Sequence, residues 1–327
     1  MKIAVIGYGS IGKRHLKNLL KIPQVEIIVC TSKKNLVIKN KKCIIVNSVD
    51  ECIKHKPDAV IISNVTSNHV QTALKFAKHN CDLFIEKPLS NSSNNVKRLY
   101  DVIKKKKIIS MMGCPLRFHP CIKKVKDMIS KKEIGRVIFV QVENGSYLPD
   151  WHPEEDYKKG YSARDELGGG VVLTCIHELD YLYWIFGYPT KIYAHVGQYS
   201  DLKISSEDYA ITLLQFKKKI MAEIHLDFFQ RPKSRFFKLV GTKGTIYCDL
   251  EKNVVKIFNI KNQEWVQSLK LNKYDINKMY QEEIVHFIHS TRKRKITINP
   301  INDGIQTLKI ANNAKRISRS KGLQRLK

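Results

Sequence analysis

The stretch Lys2-Ile3-Ala4-Val5-Ile6-Gly7-Tyr8-Gly9-Ser10-Ile11-Gly12 decides the fold. A β-branched run ends in a Gly-x-Gly-x-x-Gly turn, and residues 13–20 continue with helical character. In such a unit the first glycine permits the tight turn, the second admits a pyrophosphate, and the third lets helix and strand pack closely. Because the helix N-terminus then faces the phosphates, we expect a dinucleotide site made of Gly7, Tyr8, Gly9, Ser10, Ile11 and Gly12.

Strand-like and helix-like segments alternate along the first third of the chain. After the opening strand, we expect strands at residues 25–30, 43–46, 59–63 and 82–85, and a helix at about 68–79. This alternation predicts a doubly wound parallel sheet. Ligands of such sheets lie beyond the carboxyl ends of the strands, here near Gly7, Asn64 and Glu86.

The end of the second predicted strand bears on the choice of cofactor. A carboxylate there would hold the ribose hydroxyls of NAD, but the chain reads Cys30-Thr31-Ser32-Lys33-Lys34, and Glu26 comes too early. Hydroxyls and cations can accept a 2′-phosphate. The cofactor is therefore predicted as NAD(P), with a lean toward NADP and with Thr31, Ser32 and Lys33 as contacts.

Several motifs recur in an order and spacing that resemble the glucose-fructose oxidoreductase, inositol dehydrogenase and rhizopine-catabolism (Gfo/Idh/MocA) family. They are the glycine turn, His69, Glu86-Lys87-Pro88-Leu89, Arg117-Phe118-His119-Pro120, Ile134-Gly135-Arg136, Gly168-Gly169-Gly170, His177-Glu178-Leu179-Asp180, Asp303-Gly304 and residues 311–322. The resemblance covers essentially the whole chain.

The resemblance implies an N-terminal Rossmann domain and a C-terminal α+β domain with a large, mainly antiparallel open sheet. The length of 327 residues agrees with two domains, which we divide as 1–118 and 119–327. The second part also contains repeated β-rich runs with short turns, at residues 137–142, 192–196, 209–216, 220–226, 236–240, 245–248 and 254–258. The resemblance further implies a homodimer or homotetramer, and a last helix at about 302–320 that returns to the Rossmann domain.

The same resemblance assigns catalytic roles. Oxidation of a secondary alcohol needs hydride transfer to the nicotinamide, removal of the hydroxyl proton and a polar group that holds the oxygen. Lys87, aimed by a cis peptide before Pro88, is expected to hold that oxygen, and His177 is expected to be the acid or base. Asp180 either orients the His177 ring or binds substrate, or it is a helix-surface carboxylate. Asn64, His69 and Glu86 are implied cofactor contacts.

One departure from the family is Thr174, which stands where many members have an aspartate three residues before the histidine. Threonine cannot act as a carboxylate, but its hydroxyl can bind a substrate hydroxyl. The aromatic and polar segment 147–164 suits sugars and resembles members of the family found in bacterial surface-carbohydrate synthesis. Packed loop residues are the alternative for the expected substrate contacts Arg117, Trp151, His152 and Arg164.

Composition narrows the function classes. The net charge of +28 would attract anions, but the lysines are spread along the whole chain and no nucleic-acid recognition motif appears, so we expect no specific nucleic-acid partner. The eight cysteines lack zinc-like spacing, which predicts no metal site and reduced thiols. Without a signal peptide or an 18-residue apolar run, we expect a cytoplasmic protein with no membrane span.

The leading hypothesis is an NAD(P)-dependent dehydrogenase or reductase that acts on a sugar, sugar nucleotide or cyclic polyol. A second enzymatic option is reduction of an imine or a C=C bond. The non-enzymatic alternative is a dinucleotide-binding sensor that has lost turnover, which the presence of Thr174 in place of an aspartate keeps open.

Overall fold

The computed structural model describes residues 1–33, 36–260 and 262–320. Met1–Pro115 and Ile276–Leu308 form one compact unit. Leu116–Asp275 and the segment that starts at Lys309 form a second one. Lys34 of the predicted 2′-phosphate contacts and the last two residues of the predicted helix 311–322 lie outside the described residues.

The first unit contains a six-stranded, fully parallel sheet. Its elements are β1 (Lys2–Ile6), α1 (Ser10–Leu19), β2 (Glu26–Cys30), β3 (Cys43–Val46), α2 (Val49–Lys54), β4 (Ala59–Ile62), α3 (His69–Lys78), β5 (Asp82–Glu86), α4 (Val96–Lys106) and β6 (Ser110–Gly113). The strand order β3-β2-β1-β4-β5-β6 is that of the dinucleotide-binding Rossmann fold. The predicted doubly wound sheet is therefore confirmed.

The carboxyl ends of the central strands are level with each other. Ile6 pairs with Ile62 across β1 and β4, and Ile62 pairs with Ile85 across β4 and β5. Because these strands end at the same level, the glycine turn after β1 and Glu86 at the end of β5 lie at the same edge of this sheet.

The second unit contains an eight-stranded, mainly antiparallel sheet, as predicted. Its elements are α5 (Pro120–Ser130), β7 (Val137–Gly145), α6 (Val171–Thr174), α7 (His177–Phe186), β8 (Lys191–Gly197), β9 (Tyr209–Gln215), β10 (Met221–Asp227), β11 (Ser234–Gly241), β12 (Gly244–Asp249), β13 (Val254–Asn259) and β14 (Glu264–Lys270). The order is β14-β13-β12-β11-β7-β10-β9-β8, and β7 and β10 are the parallel pair.

Burial alternates along the strands of this sheet. In β10, Ala222, Ile224 and Leu226 are buried, whereas the residues between them are only half-buried. This period of two predicts one covered face and one open face. The open face includes apolar side chains, among them Leu213 and Met221, which are each 38% exposed.

Two C-terminal helices complete the chain, α8 (Asn277–Lys293) and α9 (Ile301–Ser320). The domain division at residue 118 predicts α8 in the second domain, whereas residues 276–308 group with the Rossmann sheet. Asn277 of α8 exchanges side-chain hydrogen bonds of 2.9 and 3.3 Å with Asn18 of α1. Within the ranges described above, no helix combines the length and apolar character needed to cross a membrane.

Candidate active site

In the glycine turn after β1, Gly7 and Gly12 lie very close to other main-chain atoms. Gly7 has a φ of +96°, and a Cβ placed on it would lie 2.7 Å from the Ser63 carbonyl oxygen and 2.8 Å from the Asn64 nitrogen. A Cβ on Gly12 would collide with the Gly7 carbonyl oxygen. Because backbone atoms cannot move aside for a side chain, these two positions require glycine.

Gly9 has a different environment from the other two glycines. It is the N-cap of α1, and no atom from another described part of the chain lies within 4 Å of a Cβ placed on it. Ser10 beside it is exposed, and Tyr8 and Ile11 are half-buried. The first amides of α1 have no partners within the helix, so this open space at a helix N-terminus is suited to a phosphate.

Alanine should affect mainly protein stability at Gly12 and mainly cofactor binding at Gly9. Gly12→Ala should lower the free energy of unfolding by about 1–3 kcal/mol because it overpacks a backbone contact. Gly9→Ala should lower that energy by only about 0.5–1 kcal/mol, because Gly9 is the N-cap of α1, but weaken NADH binding, because its methyl group occupies the open space. Urea denaturation and nicotinamide fluorescence measure the two effects. Normal NADH affinity in Gly9→Ala would contradict the assignment of this space to the cofactor.

The predicted contacts after β2 differ in exposure. Thr31 is 6% exposed, and its hydroxyl accepts a hydrogen bond from the Lys33 amide at 3.2 Å. Asn47 donates to the Thr31 carbonyl at 3.0 Å. Ser32 and the Lys33 side chain are exposed. Thr31 therefore shapes the loop that presents the two exposed side chains, and cofactor contact by Thr31, Ser32 and Lys33 stays a prediction.

His69 links the ends of two strands in the first unit. It is 1% exposed; its Nδ1 lies 2.8 Å from the Pro88 carbonyl oxygen, and its Nε2 lies 3.0 Å from that of Asn64. Burial lowers the pKa of the imidazole, and the two carbonyl groups oppose that shift. A neutral ring donates from one nitrogen only. The His69 ring therefore lies between the backbone carbonyl groups that follow β4 and β5 and contacts both.

The Glu86-Lys87-Pro88 segment follows the same sheet edge. The Lys87–Pro88 peptide is cis, which confirms the expected isomer. Lys87 is half-buried, and its amide donates to Glu86 Oε2 at 3.3 Å. The other carboxylate oxygen of Glu86 lies 2.6 Å from His15 Nε2. Glu86 is thus bound within the protein, so its contact with a cofactor stays a prediction.

In the second unit, Arg117 and Asp180 form a buried ion pair. The guanidinium donates to both carboxylate oxygens, at 2.9 and 2.8 Å. Arg117 is 0% exposed and Asp180 is 2% exposed. The helix-surface alternative for Asp180 is therefore wrong. Because each charge is satisfied by the other, the pair is suited to holding α7 in place rather than to direct contact with a ligand.

A second buried pair holds the same helix. Arg235 of β11 donates to Glu178 Oε1 at 2.9 Å, and Glu178 is 0% exposed. Glu178 and Asp180 both lie in the first turn of α7, which begins at His177. Two ion pairs therefore fix the turn that carries the predicted acid or base. His177 itself is half-buried, and Thr174, the last residue of α6, is 4% exposed.

The Arg117–Asp180 pair predicts strong coupling between its members. Arg117→Met should lower the free energy of unfolding by about 3–5 kcal/mol, because it leaves an uncompensated buried carboxylate. The double variant Arg117→Met/Asp180→Leu should recover most of that loss. Urea denaturation of the wild type, both single variants and the double variant tests this. A double variant no more stable than Arg117→Met would contradict a paired role.

The remaining predicted substrate residues have separate environments. The Trp151 indole donates to Ser146 Oγ at 2.7 Å, and its ring lies edge-on to Phe228 at 5.3 Å. His152 is exposed, and Arg164, also exposed, pairs with Glu166 at 2.6 Å. Trp151 therefore has the packed-loop environment of the alternative interpretation. Substrate binding by Trp151, His152 and Arg164 stays a prediction.

Three residues that form buried hydrogen bonds or ion pairs in the structure were not predicted from the sequence to do so: His15, Glu178 and Arg235. His15 had a local signal, since it follows the last glycine of the turn by three residues and so lies on the same helix face. The Glu178–Arg235 pair joins positions 57 residues apart and had none. Within the described ranges, no group of three or more His, Cys, Asp or Glu side chains could hold a metal ion.

Family models match most of the chain in two segments. Residues 1–114 match the oxidoreductase family with an NAD-binding Rossmann fold, and residues 122–247 match the GFO/IDH/MocA C-terminal domain. The chain belongs to the Gfo/Idh/MocA oxidoreductase family. It is an NAD(P)-dependent oxidoreductase, as the sequence motifs predicted.

Individual members of this family are similar over much of the chain. An uncharacterized oxidoreductase, YrbE of Bacillus subtilis, is 25% identical, with 95% of this chain and 92% of that protein covered. Myo-inositol 2-dehydrogenase of Thermotoga maritima is 26% identical over 76% of this chain and 75% of its own length. A solved levoglucosan dehydrogenase in complex with NADH and levoglucosan has a TM-score of 0.86 at 14% identity, covering 98% of this chain and 97% of that one.

Proposed function

We propose that the protein transfers a hydride between a nicotinamide cofactor and a secondary alcohol or ketone of a sugar, sugar nucleotide or cyclic polyol. One observation carries this proposal. Lys87 directly follows β5, at the sheet edge where the glycine turn follows β1. A cation in this place is suited to an oxygen that gains negative charge as its carbon loses a hydride.

The residues of the first unit fit a dinucleotide. The open space beside Gly9 and the free amides of α1 would take the pyrophosphate. Asn64 and the Glu86-Lys87 segment lie at the same edge for the remaining part of the cofactor. When bound, the nicotinamide supplies the hydride acceptor or donor.

Lys87 would hold the reacting oxygen. Its ammonium group donates a hydrogen bond to the carbinol oxygen and stabilises the charge that develops on it. In the direction of oxidation, the C–H bond breaks with its electron pair and the O–H bond loses its proton, so a carbonyl forms.

His177 would accept that proton in oxidation and return it in reduction. Its position at the start of α7 is fixed by the two buried ion pairs of that helix. Arg117 and Asp180 are therefore assigned a positioning role, which for Asp180 corresponds to the predicted orientation of the His177 ring and for Arg117 replaces the predicted substrate contact. The Thr174 hydroxyl, three residues before His177, is assigned to a neighbouring substrate hydroxyl.

The substrate class follows from relatives and from side-chain chemistry. The Thermotoga maritima relative is named for an inositol and the levoglucosan dehydrogenase for a sugar derivative. Both molecules carry secondary alcohols on a ring. Trp151, His152 and Arg164 supply an aromatic face and polar groups of the kind that bind such rings.

NADP(H) is the proposed preferred cofactor. No carboxylate follows β2, and Ser32 and Lys33 are exposed directly after it. A 2′-phosphate would gain an ion pair with Lys33 and a hydrogen bond from Ser32, whereas the ribose of NAD would meet no carboxylate there.

The proposal also includes a cytoplasmic homodimer or homotetramer. The open face of the second sheet supports self-association, because it presents Ile138, Leu213 and Met221 with exposures of 41%, 38% and 38%. Apolar residues spread over one sheet face favour burial against another copy.

The proposed roles predict which variants lose turnover. Lys87→Met and His177→Asn should each lower kcat by about 10²–10⁴-fold, because each removes a group that acts on the transferred proton or the reacting oxygen. NADH absorbance with a panel of cyclic polyols, sugars and sugar nucleotides measures the rate. Lys97→Met is the matched control, since Lys97 is exposed on α4 and pairs only with Asp101 among the described residues.

Two outcomes would contradict the roles in different ways. Turnover that survives in Lys87→Met would remove Lys87 from the reaction. Cofactor binding without turnover of any secondary alcohol in the panel would favour the sensor alternative over the dehydrogenase.

A further inference from the structure

His15 is a buried polar residue in α1 for which the proposed reaction gives no role. It is 0% exposed, and its ring packs edge-on against Phe84 at 5.2 Å and Tyr280 at 6.4 Å. Placing an imidazole among aromatic rings costs free energy unless its polar atoms are paired. A leucine of similar volume would fill this space without that cost.

One partner accounts for this burial. His15 Nε2 lies 2.6 Å from Glu86 Oε1, whereas Nδ1 has no hydrogen-bond partner among the residues that the structure describes. We therefore assign the ring hydrogen to Nε2, which donates to the carboxylate. A hydrogen bond to an ionised acceptor is about twice as strong as one between neutral groups.

The Glu86 carboxylate is held from two further sides. Its Oε2 accepts the Lys87 amide at 3.3 Å. Gly113 of β6 pairs with Glu86 in the sheet, and a Cβ there would lie 2.9 Å from Oε1. The carboxylate is thus enclosed by α1, β6 and the backbone of Lys87. If the carboxylate moves, the backbone of Lys87 moves with it.

We propose that His15 is a positioning residue for Lys87: its Nε2–H fixes the Glu86 carboxylate, which in turn fixes the peptide from which Lys87 projects. This inference rests on the proposed function only for its effect on turnover, because every contact that carries it lies within the first unit. The charged and titratable groups nearby are Arg14, His69, Tyr280 and Glu283.

The environment of Tyr280 agrees with this arrangement. Removal of the phenol from water raises the pKa of Tyr280, and the nearby Glu86 charge adds to that rise. Arg14, whose guanidinium lies 4.4 Å from the centre of the ring, and Lys87 oppose it. Glu86 also directly precedes Lys87 in the chain. Displacement of its carboxylate therefore changes the electrostatic field at Lys87 as well as the position of the Lys87 backbone.

The test compares His15→Gln, which keeps an N–H donor near the Nε2 position, with His15→Leu, which does not. Four quantities are measured on the full chain. They are kcat and KM with myo-inositol and the proposed cofactors, the dissociation constant of NADH, and the pH midpoint for acetylation of Lys87 by acetic anhydride, which peptide mass spectrometry follows. Lys97, which pairs with Asp101, is the internal control for acetylation.

In His15→Leu we expect kcat to fall at least about tenfold while the dissociation constant of NADH changes less than about threefold, because displaced reacting groups cost rate more than binding. The acetylation midpoint of Lys87 should shift and that of Lys97 should not. In His15→Gln both kcat and the Lys87 midpoint should return close to wild type.

Equal losses in the two variants, or a Lys87 midpoint that does not move in His15→Leu, would overturn the proposal and leave His15 as a core residue. If the wild type does not oxidise myo-inositol, that part of the proposed function fails, whereas the Lys87 midpoint still decides the role of His15. If His15→Leu does not fold, His15→Leu/Glu86→Gln is compared with Glu86→Gln, so that both variants lack the Glu86 charge. The proposal predicts the same Lys87 midpoint in these two variants, because His15 acts on Lys87 through that carboxylate, and a further shift in the double variant would contradict it.

Discussion

The close approach of Gly12 to the Gly7 carbonyl oxygen, which leaves no room for a Cβ on Gly12, sets how near α1 lies to the turn after β1. Two consequences follow from this single backbone constraint. The N-terminal amides of α1 point to the open space beside Gly9, and one turn further His15 reaches the Glu86 carboxylate at the end of β5. The predicted phosphate site and the proposed positioning of Lys87 therefore depend on the same helix.

The second unit places its predicted acid or base by a different physical means. The first turn of α7 is held by charge, since Glu178 and Asp180 each meet an arginine in a buried pair. Buried ion pairs contribute little net stability compared with apolar residues of the same shape. The Arg117–Asp180 pair also fixes direction, because its two parallel hydrogen bonds constrain the orientation of both groups. Such precision is what a group that exchanges a proton with substrate requires.

Much of the fold was predictable because its signals are local. The β-branched run before Gly7, the alternating strands and the Glu86-Lys87-Pro88 motif each occupy a few consecutive residues. By contrast, β14 is exposed along most of its length and has no alternating pattern, so the sequence did not indicate a strand there. The return of residues 276–308 to the first unit also depends on tertiary contacts such as Asn18 with Asn277.

The site was predictable in part for the same reason. Motifs predicted Lys87 and the glycine turn as site residues, and the structure adds partners for other residues that the motifs did not indicate. Substrate contact was one of the roles predicted for Arg117 and for Asp180, and the structure pairs the two across 63 residues of sequence. Pairing over such a distance leaves no periodic trace, and residue type alone cannot distinguish a charge that binds ligand from one that binds a neighbouring helix.

The most direct test of the account is a titration of the purified full chain with NADH and NADPH, followed by the fluorescence of the reduced nicotinamide. The account predicts saturable binding with a dissociation constant on the order of micromolar, displaced by the oxidised form of the same cofactor. Absence of saturable binding with both cofactors would contradict the assignment of a dinucleotide site to the glycine turn, and with it the proposed hydride transfer.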